Sequence, residues 1–265
     1  MTACVPPPRQ PPSRIDARGM RHAQVKQDIT VLTLLDCQRG GYFVDLAAND
    51  AIELSNTRAL ERDFGWYGLC VEPNTKYHTR LRALRTCAVA PYAVAGAGTS
   101  SVRFAVPYAK RIWDADGGAF GGMVEFPQRE RRNVSILTLP ARPLGQLLED
   151  HGAPAVLDYV SLDIEGAESL ALSTFPWGRH RIRVLTIERP PPELQRTLQQ
   201  RGRLRFLARL GYNGEQVWVH ESLRPPATCG GTGTGTQHEH AQRNKSAPSC
   251  SLFCQCSPSA DRGSG

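Results

Sequence analysis

The chain has 265 residues, 40% of them hydrophobic, and a formal charge of +7. That length can bury a core, which excludes a peptide-scale scaffold and favours one α/β domain with loose ends. The charge lies mostly outside the middle: residues 1–26 carry a net of +4 and the stretch from 226 onward a net of +1, leaving +2 for the central part and arguing against nucleic acid as a partner.

In chain order, residues 1–26 form a basic, proline-rich arm. Its Arg-rich, acid-poor composition permits an organelle transit peptide, but Pro6, Pro7, Pro8, Pro11 and Pro12 would break an amphipathic helix, so an unstructured arm in a cytoplasmic protein is the expectation. The domain spans 27–225. Within it "YFVDLA" reads as a buried strand, and "LSNTRALERDFG" as a helix capped by Ser55 or Asn56 and ended by Gly65. "WYGLCVE" is a second buried strand, with Cys70 in the core. "NTKYHTRLRALR" follows as a helix capped by Asn74, with Tyr77, Leu81 and Leu84 on one face. "CAVAPYAVA" and "SSVRFAV" read as strands joined by the glycine turn "GAGT". "LDYVSLDIEGAESLALSTF" supplies a strand, an acidic turn and a helix stopped by Pro176, and "IRVLTIE" another strand. "LARLGYNGEQVWVHESL" offers a helix ending at Gly211 and a closing strand from Gln216 to His220. From 226 to 265 the chain is a Gly, Thr and Ser-rich tail. There His238, Glu239 and His240, or Cys250, Cys254 and Cys256, fit a solvated low-complexity run better than a metal site. No run of about 18 apolar residues marks a membrane span.

Buried strands alternating with helices predict a mostly parallel sheet with helices on both faces, whose ligands sit beyond the carboxyl ends of the strands. Acids occupy those ends: Asp45, Glu72, Asp163 and Glu188. Any one of them alone reads more readily as a helix cap, but Glu72 closes the second strand, where an acid in a Rossmann-like site holds ribose hydroxyls. A pyrophosphate is disfavoured: no GxxxxGK[ST] occurs, and Asp45 and Asp50, on either side of the neutral Asn49, would place negative charge where it should lie. A cationic, phosphate-free adenosine ligand fits better, and S-adenosylmethionine is such a ligand.

"QDITVLTLL", "GYFVDLAAND", "LSNTRALERDFGWYGLCVEPN", "AVAPYAVAGAGTSSVRFAV", "LDYVSLDIEGAE" and "VLTIE", taken in order, resemble the FkbM-type methyltransferases over roughly residues 27–222. The resemblance implies a Rossmann-like class I methyltransferase fold with a seven-stranded sheet, S-adenosylmethionine as cofactor, and a small-molecule or glycan hydroxyl as methyl acceptor. It also implies roles. Asp45, Ala47, Asn49 and Asp50 would form the cofactor turn, and Glu72, Pro73 and Asn74 the ribose and adenine side. Asp163, Glu165 and Glu168 would face the reactive end. Asp163 is the expected base, since a hydroxyl must lose its proton as the bond forms; Glu165 is its partner or a helix-start residue, and Glu188 orients the acceptor or ends its strand. A divalent ion beside Glu165 is compatible with this scheme but not expected. Gly117, Gly118, Gly121 and Gly122 suggest either a lid or an ordinary surface loop.

"LSNT" and "GWYGLCVEPN" also resemble the Star-type branch, whose described role is in protein trafficking, so a cofactor-free interaction domain is the second expectation. The family's turn reads D-[IL]-G-A-[NY]-D-G, and Ala47 and Ala51 replace both glycines. A working site therefore predicts right-handed or extended backbone at both alanines, because a left-handed alanine stores strain.

Overall fold

The computed structural model describes residues 23, 25–107, 122–124, 134–211 and 214–224. The arm, the tail with its His and Cys residues, and Gly117, Gly118 and Gly121 lie outside these. Seven strands form the main sheet in the order β10-β11-β9-β8-β1-β2-β3. These are β1 (Tyr42–Leu46), β2 (Tyr67–Val71), β3 (Ala88–Ala90), β8 (Val156–Leu162), β9 (Arg181–Glu188), β10 (Leu204–Leu210) and β11 (Glu215–His220). β1, β2, β3, β8 and β9 run parallel, whereas β11 is antiparallel to both its neighbours. The order reverses between β8 and β1, which opens a crevice at their carboxyl ends.

Alternation along β1 explains the layering. Tyr42, Val44 and Leu46 join one core with α4 (Leu144–Asp150), α5 (Glu168–Ser173) and α6 (Pro192–Gln200). Phe43 joins the opposite core with α1 (Gln27–Leu34), α2 (Arg58–Phe64) and α3 (Thr75–Leu84). Both faces are covered, so the parallel strands are apolar on both sides. Asn74 caps α3 by accepting from the Lys76 N–H at 3.1 Å, as expected, and Gly65 ends α2 at φ +65°. Thr57 rather than Ser55 or Asn56 precedes α2, although Ser55 Oγ still accepts the Arg58 N–H. Leu84 departs from expectation: it is 49% exposed, outside the Tyr77 and Leu81 face.

Two stretches read differently in space. The helix expected before Gly211 is strand β10, because its antiparallel ladder to β11 overrides the helix propensity of Leu, Ala and Arg; the preceding helix is α6, with Pro192 in its first turn. A second sheet, ordered β4-β7-β5-β6, is built on β7 (Val134–Arg142), which lay outside the expected elements. β4 (Ala93–Val94) and β5 (Ser101–Pro107) do not pair with each other across the "GAGT" turn; each pairs with β7. β6 (Gly122–Met123), which contains Gly122, pairs with β5. Cys70 is buried as expected, and it forms a disulfide with Cys87, joining β2 to the residue before β3.

Candidate active site

A cleft open to solvent lies past the carboxyl ends of β1, β2 and β8, with about 620 Å³ of empty space between its walls and the adjoining solvent. Ala47, Asn49, Glu72, Pro73, Asp163 and Glu165 line it, and Val71, Tyr92, Ala93, Val94, Phe104, Met123 and Ile164 supply its apolar walls. The second sheet roofs the cleft: Phe104 and Met123 come from β5 and β6 and pack with Leu139 and Ala167. Sequence reasoning missed these roof residues because nothing local ties them to the acid-bearing strands.

Glu72 is the best-defined group. It is 2% exposed, and its two oxygens accept the N–H groups of Asn49 at 2.8 Å and Asn74 at 2.7 Å. These bonds clamp the β1 turn to the start of α3. A carboxylate offers about four acceptor positions, so roughly two remain. Burial pushes the Glu72 carboxyl up to about 7, against the pull of the two N–H groups.

The β1 turn is left-handed where the expectation was not. Ala47 has φ +67° and Asn49 φ +49°, and the N–H groups of Ala47 and Ala48 both donate to the Val71 carbonyl. The requirement that both alanines avoid this region thus fails at Ala47 and holds at Ala51, which is fully buried and has no positive φ. Glu165, in the turn after β8, has φ +57° and is followed by Gly166 at +100°. Strained backbone thus borders the cleft on both sides.

Four expected site residues are engaged elsewhere. Asp45 is buried on the α1–α3 side, where its Oδ2 accepts from Thr57 Oγ1 at 2.6 Å; Arg85 donates to Thr57 and pairs with Glu61 at 2.8 Å. Desolvation raises the Asp45 carboxyl. Asp50 receives the Ile52 and Glu53 N–H groups and pairs with Arg80 at 3.2 Å, which fixes the turn. Asn74 is the α3 cap, with its Nδ2 buried and unpartnered. Glu168 accepts the N–H groups of Ile164 and Gly166, so it braces the β8 turn and does not line the cleft. Turn geometry demands these bonds, and short acidic side chains meet the demand locally.

At the other end, Asp163 lines the cleft with Oδ1 buried and unpartnered. Burial raises its carboxyl well above the usual range, and the charges of Glu188, Glu165 and Glu215 raise it further. Glu188 bonds to Asp163 and pairs with Arg189 at 2.8 Å. Glu165 starts no helix, since α5 begins at Glu168. Glu215 was missed by sequence reasoning because it opens an antiparallel strand and so reaches the same end from the opposite direction. Among the described residues, no group of three or more His, Cys, Asp or Glu side chains is arranged to hold a metal ion.

No helix of the described residues is long and apolar enough to cross a membrane. Comparison with curated proteins finds no significant match. A solved structure, the precorrin-6y C5,15-methyltransferase of Geobacter metallireducens GS-15, aligns with 79% of this chain and 97% of its own at 11% identity; the TM-score of 0.37 is too low to carry an argument. The family comparison is decisive, because residues 45–213, more than half of the chain, match the model of the methyltransferase FkbM domain. From β1 through β10 the sequence thus carries this domain, on a mostly parallel α/β sheet with its cleft at the strand ends, and the chain belongs to the FkbM methyltransferase family.

Proposed function

We propose that the protein is an S-adenosylmethionine-dependent O-methyltransferase whose acceptor is a hydroxyl of a small molecule or glycan. The observation that carries this reading is Glu72: a sealed carboxylate at the end of β2 that braces two backbone turns and keeps acceptor capacity on the wall of the cleft. Two vicinal ribose hydroxyls need such an acceptor pair. Pro73, Val71 and Val94 offer apolar surface for an adenine beside it. When bound, S-adenosylmethionine supplies an electrophilic methyl on a sulfonium centre. Asp163, at the opposite end of the lining, is suited to take the acceptor's proton, because burial has made its carboxylate a stronger base than an exposed one. A cation beside it would draw its pKa back down and leave it ionised for that role. The bond between Glu188 and Asp163 favours protonated Asp163, so Glu188 would steady the proton that Asp163 takes up from the acceptor.

The buried Cys70–Cys87 bridge favours an oxidising compartment over the cytoplasm expected from the sequence. The second reading, a Star-like interaction domain without cofactor, is favoured by one observation: the Ala47 side chain sits in the wall of the cleft on strained backbone. Transfer of labelled methyl groups from S-adenosylmethionine to a panel of hydroxyl compounds tests the enzyme directly. Labelled product that disappears with Asp163→Asn supports the proposal, and a protein that binds neither cofactor nor product supports the second reading.

A further inference from the structure

Three carboxylates stand on adjacent strands at one end of the sheet: Asp163, which lines the cleft, and behind it Glu188 and Glu215, which do not. β8 and β9 pair Leu162 with Ile187, which sets Asp163 next to Glu188, and β9 and β11 pair Glu188 with Glu215 directly. Neighbouring strands lie about 4.8 Å apart, so the row extends roughly 10 Å along the sheet end, away from Glu72 and towards the edge. Glu215 is 3% exposed, its side chain bonds to Thr186 and Gln27, and its Oε1 is buried with no partner. Asp163 Oδ1 is in the same state. Arg189 covers only the middle member, Glu188, from a position 60% exposed.

We propose that this row recognises the acceptor and selects one that carries a protonated amine beside its reactive hydroxyl, such as an amino sugar or amino alcohol. The proposal rests on the methyltransferase reading, because it assigns the adenosine end to Glu72 and leaves the outer strand ends to the acceptor. Buried carboxylates are costly unless paired, and two unpartnered oxygens flanking a third carboxylate match an ammonium, which has three donors and no acceptor. A neutral sugar brings no positive charge that would hold these groups ionised. A divalent ion is less suited, as no metal-holding arrangement exists among the described residues. Burial pushes Glu215 up to about 7 and Asp163 well above its usual range, so an ammonium that holds these two ionised would release protons as it binds.

The test titrates the full chain, with and without S-adenosylhomocysteine, against glucosamine and ethanolamine and their neutral counterparts glucose and ethylene glycol, by ligand-observed NMR. At least one amine should bind tenfold or more tightly than its counterpart and release protons. Glu215→Gln and Glu188→Gln should cut that preference at least fivefold while S-adenosylhomocysteine affinity holds. Equal binding of amine and neutral probes, or binding of neither amine, overturns the proposal. So does a Glu215→Gln protein that melts lower but keeps the preference, which would make the residue structural. Stabilisation by Mg²⁺ or Mn²⁺ that Glu215→Gln abolishes would assign the row to a metal instead. Failure of S-adenosylhomocysteine to bind while amines still bind would fault the cofactor reading and leave the row standing.

Discussion

Replacing Ala47 by glycine should stabilise the protein, and the same change at Ala51 should weaken it. Ala47 sits at φ +67°, where a Cβ costs about 1–2 kcal/mol that glycine avoids. Glycine gives back about 0.4–1 kcal/mol through the freer unfolded chain, so the net gain is roughly 0.5–1 kcal/mol. Ala51 has no positive φ and is fully buried. There the entropy loss adds to about 0.8 kcal/mol for the missing buried methyl, a total loss of roughly 1–2 kcal/mol. In a domain of this size each kcal/mol moves the melting temperature by about 2–4 °C. Urea unfolding of the two single variants, with thermal melts alongside, reads both signs. A lower midpoint for Ala47→Gly, matching that of Ala51→Gly, would refute the left-handed assignment. Because Ala47 also lines the cleft, Ala47→Gly should leave cofactor affinity equal or tighter. A gain of tenfold or more from a parent that binds nothing would mark the site as decayed.

Glu72→Gln removes one of two acceptors for backbone N–H groups, so it should cost roughly 1–3 kcal/mol of stability in addition to weakening cofactor binding by a similar amount; an unchanged melt and affinity would dismiss the clamp. Its pH behaviour has a definite sign: with the folded pKa raised to about 7, the stability contributed by protonated Glu72 and Glu215 is full below about 4.5 and lost as pH rises through 7. Melting temperature should therefore fall from pH 5.5 to 8, while S-adenosylmethionine affinity, which favours ionised Glu72, should rise over the same interval and level off above it. Asp163→Asn should lower kcat by about two to four orders of magnitude with cofactor affinity intact; if binding falls and turnover per complex persists, Asp163 is a binding residue. Opening the Cys70–Cys87 bridge, whose cysteines are 17 residues apart, should cost about 2–4 kcal/mol in urea unfolding with and without reductant, and identical midpoints would contradict a formed bridge.

The legible part of the fold was its buried parallel centre. β1, β2, β8 and β9 are short apolar runs because both faces are covered, and Gly65 and Asn74 punctuate the helices between them. β7 was not legible, since "VSILTLPAR" leaves Ile136 and Leu137 exposed and includes a proline, which obscures any period. β10 was misread because its partner strand, and no local signal, decides its state. Of the acids that the strand-end rule picks out, Glu72 and Asp163 line the cleft, as do Asn49, Pro73 and Glu165, which only the family resemblance singles out. The rule could not tell acids that face the cleft from acids that tie a turn, because Asp45, Asp50 and Glu168 follow the same local grammar and differ only in which N–H or O–H group lies within reach. Glu215 shows the complementary failure: an acid at the start of an antiparallel strand arrives at the same place as one at the end of a parallel strand.

S-adenosylmethionine is expected to bind in the cleft beside Glu72. Isothermal titration of the full chain with S-adenosylmethionine and S-adenosylhomocysteine, in two buffers of different ionisation enthalpy at pH 6.5 and 8, tests it most directly. Saturable one-site binding, tighter at pH 8 and accompanied by proton release at pH 6.5, is the predicted result. Absence of binding by either compound to the folded parent, with Ala47→Gly also silent, would contradict it.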